Sequence, residues 1–207
     1  MNSCKEERSR EMMGYRTSKS GRFWVMGPTA RWRGARVAVK VLTHDIHGHK
    51  SNLMVAREAV VSAAALHPNV VKVYLVRTRR VEAEETGVLE TFIIMEFCDQ
   101  KTLESKLKVA WGLLLKNPEA GMHWILSCLL EIAMAMEYLH SLGLVHGDLK
   151  ANNVLLQSTR SNARGFTCKV ADLGCCRLLS TARSMRKEVC TGTYGAPRYA
   201  SPELLRD

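Results

Sequence analysis

The chain has 207 residues, a formal net charge of +10, 46% hydrophobic and 24% charged residues. That length holds one or two domains with a sizeable core, and the composition is ordinary for a soluble globular protein. Much of the positive charge lies early, with eleven Lys or Arg against four Asp or Glu in residues 1–50. No RNA- or DNA-binding motif accompanies it, so it reads as a solvated basic surface and no nucleic-acid partner is expected. Seven cysteines (Cys4, Cys98, Cys128, Cys168, Cys175, Cys176, Cys190) are odd in number and lack CxxC spacing. They argue against a zinc site or a disulfide framework and for reduced thiols in an intracellular, cytoplasmic setting. The charged start, MNSCKEERSREMM, lacks the apolar core of a secretory signal.

Residues 1–22 are polar, basic and weakly periodic, and are expected to be poorly ordered. Arg36–Leu42 has the β-branched pattern of a strand, with one lysine, Lys40, inside the apolar run. A lysine there is costly unless it finds a partner. Ser51–Leu66 turns helical, with Ser51 as cap and Leu53, Ala56, Val60 and Ala64 as the recurring face. His67-Pro68-Asn69 ends that helix. Val70–Val76 and Thr91–Phe97 read as strands around a charged loop carrying Glu82, Glu84 and Glu85. The pattern then changes to helices over 101–109 and 121–142, the second with Trp124, Cys128, Ile132, Ala135, Met136 and Leu139 along one face. Its apolar stretch, Trp124–Leu139, is interrupted by Ser127, Glu131 and Glu137 and is read as too short and too charged to span a bilayer. Short strands follow at Val154–Gln157 and Cys168–Ala171. Strands with one helix, then mostly helices, imply two lobes joined near Glu96–Gln100.

Chemistry concentrates in Val145–Leu155, Val-His-Gly-Asp-Leu-Lys-Ala-Asn-Asn-Val-Leu. Asp148, Lys150 and Asn153 fall within six residues, a spacing suited to a loop that holds a hydroxyl, a phosphate and a metal ion together. Val-Ala-Val-Lys places Lys40 in a strand, and Glu58 follows eighteen residues later in the helix. Asp172 stands in Val-Ala-Asp-Leu-Gly, 24 residues after Asp148. In this order and spacing the motifs resemble the eukaryotic protein kinase domain, whose catalytic loop reads H-R-D-L-x-x-x-N. Lysine at 150 resembles the serine/threonine type. Trp32-Arg33-Gly34 and Arg36–Lys40 resemble the second and third strands of the tyrosine-kinase-like, Raf-like group.

The resemblance implies an α+β, two-lobed fold: a divergent segment 1–30, a β-rich small lobe with one helix at 31–98, and a partial, mainly helical large lobe at 99–207. It implies transfer of the γ-phosphoryl group of ATP, with Mg²⁺, to Ser or Thr hydroxyls of a protein substrate. Asp148 is the implied base and Lys150 steadies the transferred group. Lys40, paired with Glu58, contacts the phosphates, and Asn153 and Asp172 ligate magnesium. Ala38, Met95 (the gatekeeper), Glu96, Cys98 and Leu155 line the nucleotide site, with backbone groups of Glu96 and Cys98 bonding the base.

Three departures stand beside the match. Gly147 replaces the arginine that pairs with an activation-segment phosphate. The glycine-rich phosphate loop is missing, with no GxGxxG in the chain. Residues 172–203 resemble an activation segment ending at Ala200–Glu203, but Tyr194, Gly195 and Ala196 look inserted after Thr193, and the chain stops at Asp207, so the domain is expected to be incomplete. A nucleotide-binding pseudokinase or scaffold without turnover is the alternative these departures support.

Overall fold

The computed structural model describes residues 31–47, 49–81 and 87–178. The activation-segment landmarks from Ser180 to Glu203, the segment 1–30 and the acidic loop at 82–86 lie outside the described residues. The described chain forms two compact units, one of residues 31–64 and 72–97, the other of 65–71 and 98–178. Together they give the kinase-like α+β composition, a sheet unit with one helix and a mainly helical unit.

The first unit is an antiparallel sheet in the order β1-β2-β4-β3, built from β1 (Arg31–Trp32), β2 (Ala35–Asp45), β3 (Val73–Arg80) and β4 (Val88–Glu96). Arg33 and Gly34, both with positive φ, close the β1–β2 hairpin. Two such residues match the right-handed twist of the strands they join. Trp32 stacks on Tyr74 of β3 at 5.5 Å. Helix α1 (His49–Ala64) completes the unit.

That helix corrects the sequence reading twice. Ser51 lies inside α1, not at its cap. The proposed inward face is also the wrong one: Leu53, Ala56, Val60 and Ala64 are all exposed, whereas Glu58, Ala59, Val61 and Ser62 are buried. Periodicity selected the more apolar stripe. The stripe chosen by the fold instead carries Glu58 inward to a lysine in the sheet. The strand at Val70–Val76 also begins later. Val70 and Val71 join the second unit, where the Val71 amide donates to the Val170 carbonyl at 2.8 Å.

In the second unit α2 (Leu103–Lys116) and α3 (Pro118–Ser141) share one residue as boundary. Asn117 caps the end of α2, and its Oδ1 accepts the Ala120 amide at 3.0 Å to start α3. Asn followed by Pro at the first helical position is a strong start signal, and it lengthens both helices beyond 101–109 and 121–142. By length and composition α3, at 24 residues, is now long enough and apolar enough to cross a membrane, contrary to the reading of Trp124–Leu139. The expected inward face of α3 holds: Cys128, Ala135 and Leu139 are buried and Trp124, Ile132 and Met136 half-buried. Gly121 has a steric role, because a Cβ there would sit 2.4 Å from Leu114 Cα.

The hairpin of β6 (Val154–Ser158) and β7 (Phe166–Val170) packs on these helices through Leu103, Cys128, Val154, Leu156, Phe166 and Cys168. Trp124 meets Phe166 edge-on at 5.5 Å. Each large apolar side chain buried here contributes roughly 1.5–3 kcal/mol. Strand β5 (Leu144–Val145) pairs with β8 (Arg177–Leu178), so the loops following β5 and β7 are both anchored at this end of the unit.

Candidate active site

Residues 38 and 40 of β2 share one face of the strand because side chains alternate. Their partners on β4 are Met95 opposite Ala38 and Ile93 opposite Lys40. Lys40 is 5% exposed and its ammonium pairs with the Glu58 carboxylate, itself in a residue 8% exposed. The costly buried lysine therefore has the partner its position demanded. Glu96 is buried at the end of β4. Its carboxylate accepts the Lys72 amide at 2.6 Å and its own amide donates to the Lys72 carbonyl at 2.9 Å. That amide is committed within the unit, which leaves the Glu96 carbonyl as its backbone group for a base. Ala38, Lys40, Glu58, Met95 and Glu96 thus belong to one unit. Cys98, Asp148, Lys150, Asn153, Leu155 and Asp172 belong to the other.

The loop 146–153 is held by short-range bonds around Asp148. Lys150 Nζ donates to Asp148 Oδ2 at 2.6 Å. Asn153 Nδ2 donates to the same oxygen at 3.0 Å and to the Asp148 carbonyl at 2.8 Å. A short 3₁₀ turn, Ala151–Asn153, makes this possible by bringing residue 153 back over residue 148. With its nitrogen engaged twice, Asn153 keeps its amide oxygen as the atom suited to a hard cation. Leu155 sits half-buried on β6 beside Lys169 of β7.

His146 joins this loop to the Asp172 turn. It is 1% exposed. Its Nδ1 accepts the Asp148 amide at 3.3 Å, and its Nε2 lies 3.1 Å from the Ala171 carbonyl. An acceptor at Nδ1 and a carbonyl at Nε2 require the neutral tautomer protonated at Nε2. Burial holds the imidazole below its usual pKa, which favours that neutral form. The Ala171 amide in turn donates to the Asn153 carbonyl at 2.8 Å. Asp172 has a left-handed backbone, φ 63° and ψ 65°, and opens a 3₁₀ turn, Leu173–Cys175, with Leu173 buried. A non-glycine residue held there is strained by about 1–3 kcal/mol, and such strain clusters at functional sites.

Gly147 is more than a missing arginine. Its φ is +78°, and a Cβ on it would stand 2.5 Å from the Cys175 carbonyl oxygen. Glycine alone lets the loop lie against the turn after Asp172. Sequence reasoning noticed the substitution but missed this packing, because a separation of 28 positions along the chain hides it. Asn69, from the turn after α1, was also missed as a structural fastener. Its Nδ2 donates to the Cys168 carbonyl at 2.9 Å, and its carbonyl accepts the Val170 amide at 2.7 Å.

The chain matches the protein tyrosine and serine/threonine kinase family over residues 23–207. It belongs to that family. Among the similar kinases, mouse serine/threonine-protein kinase Nek4 is 33% identical over 83% of this chain and 19% of its own length. CBL-interacting serine/threonine-protein kinase 26 of Arabidopsis thaliana is 32% identical over 84% of this chain and 35% of its own. Mouse mitogen-activated protein kinase kinase kinase 4 is 30% identical over 83% of this chain and 9% of its own. The kinase chain therefore spans well under half the length of these relatives. Kinases of this family generally use ATP with Mg²⁺. Among the described residues no three His, Cys, Asp or Glu side chains cluster for a metal. A site of one carboxylate, Asp172, and one amide oxygen, Asn153, still fits magnesium, which keeps several waters and binds phosphate oxygens besides.

Proposed function

We propose that this chain is the catalytic part of a serine/threonine protein kinase, transferring the γ-phosphoryl group of ATP to a Ser or Thr hydroxyl of a protein. The observation that carries the reading is the loop in which Lys150 and Asn153 both bond Asp148 Oδ2. Asp148 orients the substrate hydroxyl and accepts its proton. Lys150, on the same carboxylate, offers its charge to the phosphoryl group as it moves. Lys40, fixed by Glu58, neutralises the other phosphates. Asp172 and Asn153 hold magnesium, which when bound screens the phosphate charge. Ala38, Met95 and Glu96 of the first unit, and Cys98 and Leu155 of the second, are the residues assigned to the adenine by the kinase resemblance.

All the charged groups that phosphoryl transfer asks of a protein are present, so turnover is favoured over the pseudokinase alternative. We assign residues 31–98 to the small lobe, 99–207 to a partial large lobe, and 1–30 to a separate leading segment. The Raf-like assignment rests on Trp32-Arg33-Gly34 and Arg36–Lys40; the relatives named above belong to several kinase groups. The cytoplasmic assignment rests on the odd number and CxxC-free spacing of the cysteines and on the relatives' being kinases. Transfer of labelled phosphate to a Ser/Thr protein such as casein, with Asp148→Asn as control, tests the reading. The variant is expected to lose about 10²–10⁴-fold in rate. Equal signals from the two proteins would end it.

A further inference from the structure

A polar network in the first unit joins α1 to the sheet at a second place, away from Lys40 and Glu58. Asn52 lies in the first turn of α1, a turn without an acidic residue. Asparagine is a poor helix former, and its side chain here is directed at the sheet. Its Nδ2 donates to the Ile46 carbonyl at 2.9 Å. Ile46 is itself held, because its amide donates to the Gly87 carbonyl at 2.9 Å. With the nitrogen engaged, Asn52 Oδ1 faces His44 Nδ1 at 2.5 Å. An amide oxygen only accepts, so Nδ1 carries the proton. His44 Nε2 lies 3.1 Å from the hydroxyl of Thr91, which is 2% exposed. That hydroxyl is 2.8 Å from the hydroxyl of Thr78. One imidazole on β2 thus ties the start of α1 to β4 and, through Thr91, to β3.

We propose that His44 and Asn52, given the kinase reading above, are positioning residues for phosphoryl transfer: they latch α1 to β2 so that Glu58 meets Lys40 in one orientation. His44 and Lys40 are four residues apart on β2, so both project from the same face of the strand. Asn52 and Glu58 are six residues apart on α1, about 9 Å along the helix axis. Strand and helix are therefore joined at two separated points, the buried Lys40–Glu58 pair and the His44–Asn52 bond. One ion pair between two long side chains sets a distance and leaves the helix free to tilt about it. A second attachment through two short planar groups removes that freedom.

The supporting residues fit a positioning role. Thr91 stands opposite Leu42 on one side and Thr78 on the other, where an apolar residue would pack without a partner. Its hydroxyl instead supplies the partner that a half-buried imidazole needs at Nε2. Hydrogen bonds between neutral groups contribute modestly to stability, so the main consequence of this network is geometric.

The test acetylates the lysines of the whole, folded chain with an N-hydroxysuccinimide ester and maps them by mass spectrometry, beside the kinetics of phosphate transfer. Lys40, 5% exposed and paired, should label slowly. Asn52→Leu raises helix propensity but removes the latch. Lys40 labelling should then rise about three- to tenfold, the factor one hydrogen bond carries, with Lys169 of the second unit unchanged. His44→Asn keeps an amide donor where Nδ1 stood and should leave Lys40 protected. His44→Gln places its amide at the Nε2 position and should expose Lys40 as Asn52→Leu does. Unchanged Lys40 labelling in Asn52→Leu, or equal labelling in the two His44 variants, would overturn the proposal. In the kinetics, Asn52→Leu should lower kcat/KM for ATP in the otherwise native chain and have little further effect beside Glu58→Gln. Additive losses would show that Asn52 acts apart from Glu58 and would overturn the positioning role. Absence of transfer from the native chain would sink the kinase reading alone, because lysine labelling decides the latch without it.

Discussion

The two regions that carry the charged motifs are built in opposite ways. Lys40 and Glu58 come from a strand and a helix and meet in the interior, with side chains 6% and 10% exposed. Asp148 and Lys150 are two residues apart, with side chains 13% and 24% exposed. The first pair exists because tertiary packing forces it, and its geometry is inseparable from the stability of the sheet unit. The second is a local loop network that water partly screens, tuned by Asn153 and His146. Damage to the first should register mainly in folding, and damage to the second mainly in chemistry.

The largest expected stability effect tests the first half of that contrast. Lys40→Met leaves the buried Glu58 carboxylate without its lysine and should cost about 3–5 kcal/mol in denaturant unfolding. The double variant Lys40→Met/Glu58→Leu should recover most of it, since a buried ion pair replaced by apolar side chains is often neutral. A double variant as unstable as the single would show that the pair does not couple as described. Next comes Gly147→Ala, whose Cβ would strike the Cys175 carbonyl. Strain of about 1–3 kcal/mol is expected, with transfer activity falling because Asp148 adjoins the displaced residue. An unchanged Tm and rate would remove the close approach from the account.

The pH dependence is smaller and has a fixed sign. His146 titrates below its ordinary value of 6.5 in the folded chain. Below that pH the unfolded chain binds a proton that the folded chain refuses, so stability is full above pH 6.5 and falls as pH drops towards the folded value. His67, likewise lowered chiefly by burial, adds to the same slope. Chemical unfolding from pH 8 to 5 should show it, and His146→Asn should flatten it. A slope unaltered by that substitution would place the titration elsewhere. Smallest in stability is Lys150→Met, expected within about 1 kcal/mol for a partly exposed pair, while phosphate transfer drops steeply. A large loss of stability with activity retained would reverse the contrast between the two regions.

Local chemistry was legible in the residues themselves. The spacing of Asp148, Lys150 and Asn153, the lysine inside Val-Ala-Val-Lys and the inward face of α3 all follow from short-range patterns, because a loop, a strand and a helix each impose their own period. What the sequence left open were choices between competing faces and distant neighbours. Only packing decided that α1 turns Glu58 rather than Leu53 and Val60 inward, since the gain from pairing a buried lysine outweighs burying one more apolar stripe. Only packing set Gly147 against Cys175, Asn69 against Cys168 and His44 against Thr91. Those contacts join residues far apart along the chain, and no periodicity records which of them the folded backbone will bring within hydrogen-bond reach.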